Sequence, residues 1–292
     1  MQIDRPEPVC ATTSTSDLAP LVALLAGKRV VALTGAGCST ESGIPDYRGP
    51  GTRARARNPV QHRALVGDPR ARQRYWARSM LGWPRFCCAR PNPAHLALAA
   101  LERAKVLAGV ITQNVDGLHQ AAGSERVIEL HGALARVRCL GCGDVVSRAA
   151  VQQRLESLNP AFGARPVELA PDGDSELDGE LVSAFCVPEC ARCGGVLKPD
   201  VVFFGDNVPR PIVDAAFAML EQGEALLVVG TSLAVFSGLR FVRRAAEQSR
   251  PIALVNLGES RGDALASVRV EAKAGETLPL LAVALIERSG GV

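Results

Sequence analysis

The sequence predicts an α/β fold, in which a doubly wound, Rossmann-like parallel sheet carries a smaller helical and zinc-binding domain as an insertion. Three observations predict it. Short apolar runs alternate with helix-like segments over much of the 292 residues, the first run leads directly into Gly35-Ala36-Gly37, and two Cys-x-x-Cys pairs interrupt the alternation. Because parallel strands are buried on both faces and need crossover helices, this alternation indicates a sheet covered on both sides.

The predicted elements follow one another in a regular order. The N-terminal segment is rich in Pro, Ser and Thr. A helix follows it, which begins at a capping residue, Ser16 or Asp17, and ends near Ala26. Apolar runs predict strands at 29–34, 107–112, 225–229, 252–256 and 268–270, and helices at 68–81, 93–104, 211–221, 238–248 and 276–287. We expect a discontinuous Rossmann-like domain (1–50, 89–135, 196–292), a helical insertion (51–88) and a zinc-binding insertion (136–195).

The two cysteine pairs predict one structural zinc ion. Cys139 and Cys142 form the first pair, and Cys190 and Cys193 form the second. Two such turns complete a tetrahedral site of four thiolates, which leaves no open position for catalysis. A glycine follows each pair directly, as a knuckle that needs positive φ prefers. Cys186 is a competing ligand, but the tighter Cys190/Cys193 spacing favours the pair.

Composition excludes several classes of protein. The formal charge of +3 comes without a basic stripe or interleaved aromatics, so we expect no nucleic-acid partner. Outside the metal pattern the cysteines are odd in number, which indicates a reducing compartment. No apolar run reaches the ~20 residues of a membrane span, and the N-terminus lacks the apolar core of a secretory signal. We therefore expect a cytoplasmic protein without a membrane partner, and favour a monomer.

The glycine loop after the first strand predicts a dinucleotide site. Glycines remove the Cβ obstruction, and the helical turn that begins at Ser39 and Thr40 offers free N–H groups to a pyrophosphate. The usual dehydrogenase fingerprint also requires a third small residue, where Thr40 stands, and an acidic residue after a second strand. Arg53 to Arg57 occupies that region instead. A hydride-transferring dehydrogenase therefore fits poorly.

Five segments, in order, resemble the motifs of the sirtuin family and extend over most of the chain between Arg29 and Gly275. They are GAGCSTESGIPDYR (35–48), TQNVDGLH (112–119), ELHG (129–132), GTS (230–232) and VNLG (255–258). The cysteine pairs fall where sirtuins carry their structural zinc. Four further runs (73–78, 91–95, 169–174 and 198–206) resemble the class II, mitochondrial-lipoamidase-like branch, and we expect a bacterial member. Cys38 and Tyr47 depart from the family, which usually has Ile and Phe there.

The resemblance implies an NAD-dependent protein-lysine deacylase that consumes NAD as a co-substrate. The acyl-lysine amide oxygen attacks the ribose carbon as nicotinamide leaves, and a general base then activates a ribose hydroxyl. His131 is the candidate base, since the reference pKa of histidine, ~6.5, suits proton transfer at neutral pH. Asn114 is implied to orient the ribose and a water, and Asp116 and the Ile44 backbone to hold the nicotinamide carboxamide.

The resemblance also implies the remaining binding residues. The implied NAD-binding set is Gly35, Ala36, Gly37, Glu41, Ile44, Pro45, Asp46, Tyr47, Arg48, Gln113, Asn114, Val115, Asp116, Gly230, Thr231, Ser232, Asn256, Leu257, Gly258 and Ala274. The segment Val202, Phe203 and Phe204 is implied to pair with the substrate peptide as an added strand. Tyr75 and Arg78 share a helix face, and such a pair binds the carboxylate of acidic acyl groups in some sirtuins.

Several alternatives stay open at this point. Mono-ADP-ribosyl transfer is a second activity within the same family, whereas a non-catalytic zinc module leaves His131 and Asn114 without a purpose. Helix capping explains one of Asn114 and Asp116, and also Thr231 and Ser232. Tyr75 and Arg78 are equally consistent with a surface helix pair. His119 is interpreted as a helix-surface or packing residue, and neither His62 nor His95 has metal-like partners in the sequence.

Overall fold

A computed structural model describes residues 18–46, 60–162 and 183–289. Within them the strands are β1 (Val30–Thr34), β2 (Leu107–Thr112), β3 (Val127–Glu129), β4 (Gly132–Cys139), β5 (Val145–Ser147), β6 (Leu197–Val201), β7 (Ala225–Val229), β8 (Ile252–Val255) and β9 (Val268–Val270). The helices are α1 (Ala19–Leu25), α2 (His62–Gly67), α3 (Pro69–Phe86), α4 (Pro93–Arg103), α5 (Leu118–Ala121), α6 (Arg148–Leu158), α7 (Arg210–Leu220), α8 (Phe236–Glu247) and α9 (Ala274–Ser289).

The larger sheet is parallel, with strand order β3-β2-β1-β7-β8-β9. From β1 the chain first builds outward to β2 and β3, and later returns to the other side of β1 with β7. The order therefore reverses between β1 and β7. Crevices for ligands form outside the carboxyl ends of the strands at such a reversal.

Helices cover both faces of this sheet. Leu21, Leu98 and Leu281 of α1, α4 and α9 are buried against one face, together with alternate residues of β1 such as Ala32. On the other face, Phe241 of α8 packs in a second buried cluster with α7, β1 and β2. Every residue of β1, β2, β7 and β8 is buried, which is why these strands read as continuous apolar runs.

A second, smaller sheet has the antiparallel order β5-β4-β6. It packs with α2, α3 and α6 around a separate apolar cluster that contains Trp76, Val137, Leu155 and Leu197. The strand β6 pairs with β4 here, although the predicted boundary at residue 196 assigned it to the Rossmann-like domain. The predicted domain limits stay a prediction.

The predicted fold class is confirmed, with the parallel sheet and the small sheet both present. The five predicted strands lie within one residue of their predicted positions. The predicted helix at 68–81 runs on to Phe86 and contains Pro84, and α6 was not predicted at all. Among the helices of the described residues, none combines the length and hydropathy that a membrane span requires.

Candidate active site

A cavity of about 750 Å³ opens at the carboxyl ends of β1, β2 and β7, where the strand order reverses. The loop after β1, the residues that follow β2 and residues of the segments 201–208 and 230–237 line it. Twenty of the predicted catalytic, NAD-binding and substrate-binding residues line it: Gly35, Ala36, Gly37, Ile44, Asp46, Tyr75, Gln113, Asn114, Val115, Asp116, His131, Val202, Phe203, Phe204, Gly230, Thr231, Ser232, Asn256, Leu257 and Gly258.

The glycine loop is built against the turn that follows β7. A Cβ atom on Gly35 would lie 2.6 Å from the Thr231 Cβ, and one on Gly37 would lie 2.9 Å from the Gly230 carbonyl oxygen. Gly230 itself has φ +60°, and its own Cβ would meet the Cys38 nitrogen at 2.3 Å. The glycines therefore allow two backbone turns to touch at the strand reversal, in addition to the approach of a pyrophosphate.

A buried hydrogen-bond network joins the loop after β1 to the residues after β2. The Asn114 Nδ2 donates to the Gly35 carbonyl oxygen at 3.1 Å and to the Ser39 Oγ at 3.0 Å. The Ser39 hydroxyl donates in turn to the Asp116 Oδ2 at 2.7 Å. The Asp116 Oδ1 accepts the Leu118 N–H at 2.9 Å, so this carboxylate caps α5 and also faces the cavity. Burial raises the pKa of Asp116, and its hydrogen bonds oppose that shift.

His131 lies between β3 and β4, and two hydrogen bonds determine its tautomer. Its Nδ1 is 2.9 Å from the Gln113 carbonyl oxygen. Because a carbonyl only accepts, Nδ1 carries the proton and Nε2 of the neutral ring has the lone pair. The Ser237 hydroxyl, 2.8 Å from Nε2, therefore donates to it. Burial of the ring, and then the charge of Arg240, lower the pKa of His131, whereas the bond to Gln113 opposes them.

The Gln113 side chain ties the two sides of the strand reversal together. Its Nε2 donates to the Thr231 Oγ1 at 2.9 Å and to the Thr34 carbonyl oxygen at 3.3 Å. The Thr231 Oγ1 also accepts the Leu233 N–H at 3.1 Å. Thr231 therefore stabilises the turn after β7 and caps no helix, because α8 begins only at Phe236; Thr231 also lines the cavity.

Three of the residues implied for NAD lie in the described region but not on the cavity lining. The Glu41 carboxylate accepts the Gly275 N–H at 2.7 Å and so anchors the start of α9. Ala274 is buried there, and Pro45 adjoins the lining residues Ile44 and Asp46. Two further predicted residues, Tyr47 and Arg48, lie outside the described residues.

Four of the five residues predicted to bind the substrate line the cavity, and one does not. Tyr75, Val202, Phe203 and Phe204 line the cavity, and Tyr75 contacts Phe203 edge to face with ring centroids 5.4 Å apart. The Val202 N–H donates to the His131 carbonyl oxygen at 2.9 Å, which holds this segment beside the candidate base. Arg78 is not among the lining residues, although it follows Tyr75 by one helical turn.

Sequence reasoning missed several polar residues of the site, among them Ser39, Ser237, Arg240 and Arg261. Ser39 was treated only as the start of a helical turn, but it is the centre of the Asn114 and Asp116 network. Ser237, Arg240 and Arg261 also line the cavity. Ser237 and Arg240 stand at i and i+3 at the start of α8, the helix that follows the carboxyl end of β7. That position was the available signal.

Four cysteine thiols meet at the edge of the small sheet. Cys139 and Cys193 have their sulfur atoms 3.5 Å apart, Cys142 and Cys190 have theirs 3.8 Å apart, and all four lie within 4.8 Å of one another. Exposed Cys186 is outside the cluster, as the spacing predicted. Gly143 and Gly194 have φ of +74° and +71°. Four sulfur donors in this arrangement fit a structural zinc ion, which would join β4 to β6.

Comparisons with known proteins agree with this geometry. The NAD-dependent protein deacetylase 1 of Mycobacterium avium (strain 104) is 52% identical over 276 residues, which are 93% of this chain and 96% of the relative. The mitochondrial NAD-dependent protein lipoamidase sirtuin-4 of Bos taurus is 51% identical over 257 residues, 87% and 82% of the two chains. A solved structure described as a Sir2 homolog–NAD complex has a TM-score of 0.72 and 31% identity, and covers 92% of this chain and 94% of its own.

The fold, the glycine loop and the cysteine cluster define an α/β protein with a dinucleotide cleft and a separate zinc module. A family profile described as the Sir2 family matches residues 35–237. The chain belongs to the Sir2 family, the sirtuins.

Proposed function

We propose that this chain is an NAD-dependent protein-lysine deacylase, which transfers the acyl group of a modified lysine to ADP-ribose and releases nicotinamide. The observation that carries the proposal is His131. Its ring is held as the Nδ1–H tautomer inside the cavity, with its basic Nε2 turned towards Ser237 rather than into the core. Such a nitrogen is a general base of suitable strength at neutral pH.

NAD, when bound, supplies the glycosidic bond that breaks and the ribose hydroxyl that accepts the acyl group. The Asn114 amide is buried and held by two acceptors, so it offers a rigid polar group beside Gly35. The Asp116 Oδ2 accepts from Ser39 and faces the cavity, where a carboxamide N–H would find an acceptor. His131 Nε2 takes the proton of the ribose hydroxyl, either directly after the Ser237 hydroxyl moves away or through the Ser237 hydroxyl as a relay. Preorganised groups of this kind lower the barrier because they need no rearrangement during reaction.

The substrate is a protein acyl-lysine. Val202 to Phe204 supports the expected strand addition, because the segment lines the cavity after β6 ends. Apolar side chains of Tyr75, Phe86 and Leu134 line the same cavity, which favours an uncharged acyl chain. The predicted carboxylate contact of Arg78 has no support from the cavity lining.

A panel of acylated peptides incubated with NAD tests the proposal, with nicotinamide release and peptide mass as the two measurements. We expect His131→Asn to reduce deacylation by about 10²–10⁴-fold, the contribution of a general base. Exchange of labelled nicotinamide into NAD should survive in this variant, because the base acts after the pyridine leaves. His62→Asn, at a half-buried histidine outside the cavity lining, is the control.

Two outcomes contradict the proposal. Normal deacylation by His131→Asn would remove the base assignment. Labelled ADP-ribose attached to protein, without any loss of acyl mass from the peptides, would replace deacylation with the mono-ADP-ribosyl transfer that the sequence left open. The cytoplasmic location, the monomeric state and the absence of nucleic-acid and membrane partners stay predictions from the sequence.

A further inference from the structure

Three buried side chains of types that can ligate metals lie close together in the core, next to the residues that line the cavity. Cys38 lies in the short helical turn after β1, His95 lies in the first turn of α4, and His119 lies in α5. All three are at most 1% exposed, and one ligand atom from each lies within 4.8 Å of the others. From the sequence alone, His95 has no metal-like partner and His119 is interpreted as a surface or packing residue. The structure buries both and brings them to Cys38.

The hydrogen bonds of this cluster leave one ring nitrogen without a partner. The Thr34 hydroxyl donates to the Thr112 Oγ1, so His119 Nε2, 2.8 Å from the Thr34 Oγ1, donates to it. His119 Nδ1 then has the lone pair, and this buried atom has no hydrogen-bond partner among the described residues. A buried polar atom without a partner is uncommon and calls for an explanation such as an ion.

The contacts of His95 are long. Its Nδ1 accepts the Asn92 N–H at 3.3 Å, and its Nε2 is 3.4 Å from the Ser39 Oγ. Such hydrogen bonds are weak compared with those near 2.9 Å. The rings of His95 and His119 lie next to each other, with centroids 4.8 Å apart. Small movements of these side chains are therefore sufficient to bring one nitrogen of each ring towards a common centre with the Cys38 sulfur.

The charge around the cluster favours a cation. Burial raises the pKa of the Cys38 thiol, and the negative carboxylates of Asp116 and Glu41 raise it further while no cation is present. The same negative field attracts a positive ion, and a coordinated thiol loses its proton. Thiolate and imidazole together suit soft first-row ions.

We propose that Cys38, His95 and His119 bind one monovalent copper ion. Structural zinc has four protein ligands and catalytic zinc has three with a water, whereas this cluster offers three donors that are each at most 1% exposed. Cu⁺ with one thiolate has no net charge, which limits the cost of burial. The Cys38 sulfur and one nitrogen of each ring form the three bonds, and the thiol proton passes to solvent. Metal–ligand bonds of ~2.0–2.3 Å require the donors to converge by roughly 1 Å.

Copper at this site would inhibit the enzyme, a consequence that rests on the proposed function. When His95 turns to the metal it releases Ser39, whose hydroxyl bonds to Asp116 and accepts from Asn114. The two cavity residues then lose the group that positions them. Copper bound by Cys38, His95 and His119 would thus inhibit the enzyme through the residues that line the cavity.

Copper binding is measured first, because it does not depend on catalysis. The full chain is prepared zinc-loaded under anaerobic conditions, with Ser at the four cysteines outside both clusters (Cys10, Cys87, Cys88 and Cys186). It is then titrated with Cu⁺ against bathocuproine disulfonate. We expect one copper per chain with zinc retained, and an X-ray absorption spectrum with one sulfur and two nitrogen ligands. Cys38→Ala and Cys38→Val in this background should retain no copper, whereas the control His62→Gln should retain it.

Three results would overturn the site: no copper held against the chelator, equal copper in the Cys38 variants, or zinc released in proportion to copper bound. Thermal unfolding of both Cys38 variants checks that they are folded. In the deacylase assay, one equivalent of Cu⁺ should reduce the rate by more than about tenfold in the background protein, reversibly with chelator, and leave Cys38→Val unaffected. Copper binding without inhibition would refute the coupling to Ser39. A chain that binds copper but deacylates nothing would instead refute the proposed function.

Discussion

Replacing Cys190 by serine should unfold the small domain. Cys190 is one of four thiols within 4.8 Å of one another, and it is also buried in the apolar cluster that contains Val137 and Leu197. Its loss leaves three ligands and puts a hydroxyl into that cluster. Since the cysteines connect the end of β4 to the start of β6, the change acts where the central strand of the small sheet joins an edge strand.

The expected magnitude is large relative to the stability of the fold. Structural zinc in small modules binds with about 10–16 kcal/mol of apparent free energy, which is also folding free energy. A typical domain is stable by only about 5–15 kcal/mol. Even partial loss of the zinc affinity therefore removes a stabilisation comparable to the whole. The larger sheet has its own apolar clusters on both faces and should stay folded.

Zinc content and thermal unfolding provide the assay, and Cys186→Ser is the matched control. Cys186 lies four residues earlier, is exposed and stands outside the thiol cluster. We expect Cys190→Ser to lose its zinc and to show a separate, low-temperature transition, whereas Cys186→Ser should match the parent chain. Full metal content and an unchanged melting curve in Cys190→Ser would refute the reasoning.

Three further predictions concern the cavity. Burial lowers the pKa of His131, so the base stays neutral and active below the usual histidine range. The acid limb of the pH profile of kcat/KM should therefore lie at a pH under ~6.5. An acid limb at or above that value would contradict the assignment. Ser237→Ala removes a hydrogen bond of about 1 kcal/mol that favours the neutral His131 ring. The acid limb of the kcat/KM profile should therefore move to higher pH. An unmoved acid limb would show that this hydrogen bond is unimportant in solution. Gly35→Ala places a Cβ 2.6 Å from the Thr231 Cβ and should reduce the free energy of unfolding by about 1–3 kcal/mol. It should also weaken NAD binding, and denaturation and calorimetry measure the two effects. Gly67→Ala is the control, because a Cβ there has no atom within 4 Å.

Local patterns in the sequence are sufficient to predict the strands of the parallel sheet and the four zinc ligands. Strands such as β1, β2 and β7 are buried on both faces, so hydrophobicity along the chain is sufficient to locate them. The cysteine pairs are likewise local, since two ligands come from one turn. The glycine loop was recognised for the same reason, because Gly35 and Gly37 follow a strand directly.

Which polar groups meet in the site depends on how distant elements pack, and local sequence patterns do not predict it. Ser237 reaches the His131 ring from 106 residues away, and Ser39 meets Asp116 across 77 residues. Neither distance leaves a periodic signal in the sequence. Helical spacing placed Arg78 on the face of Tyr75, but the position of α3 against the cavity determines which of them lines it. Cys38, His95 and His119 converge for the same reason: they come from three separate elements, and the packing of those elements alone brings them together.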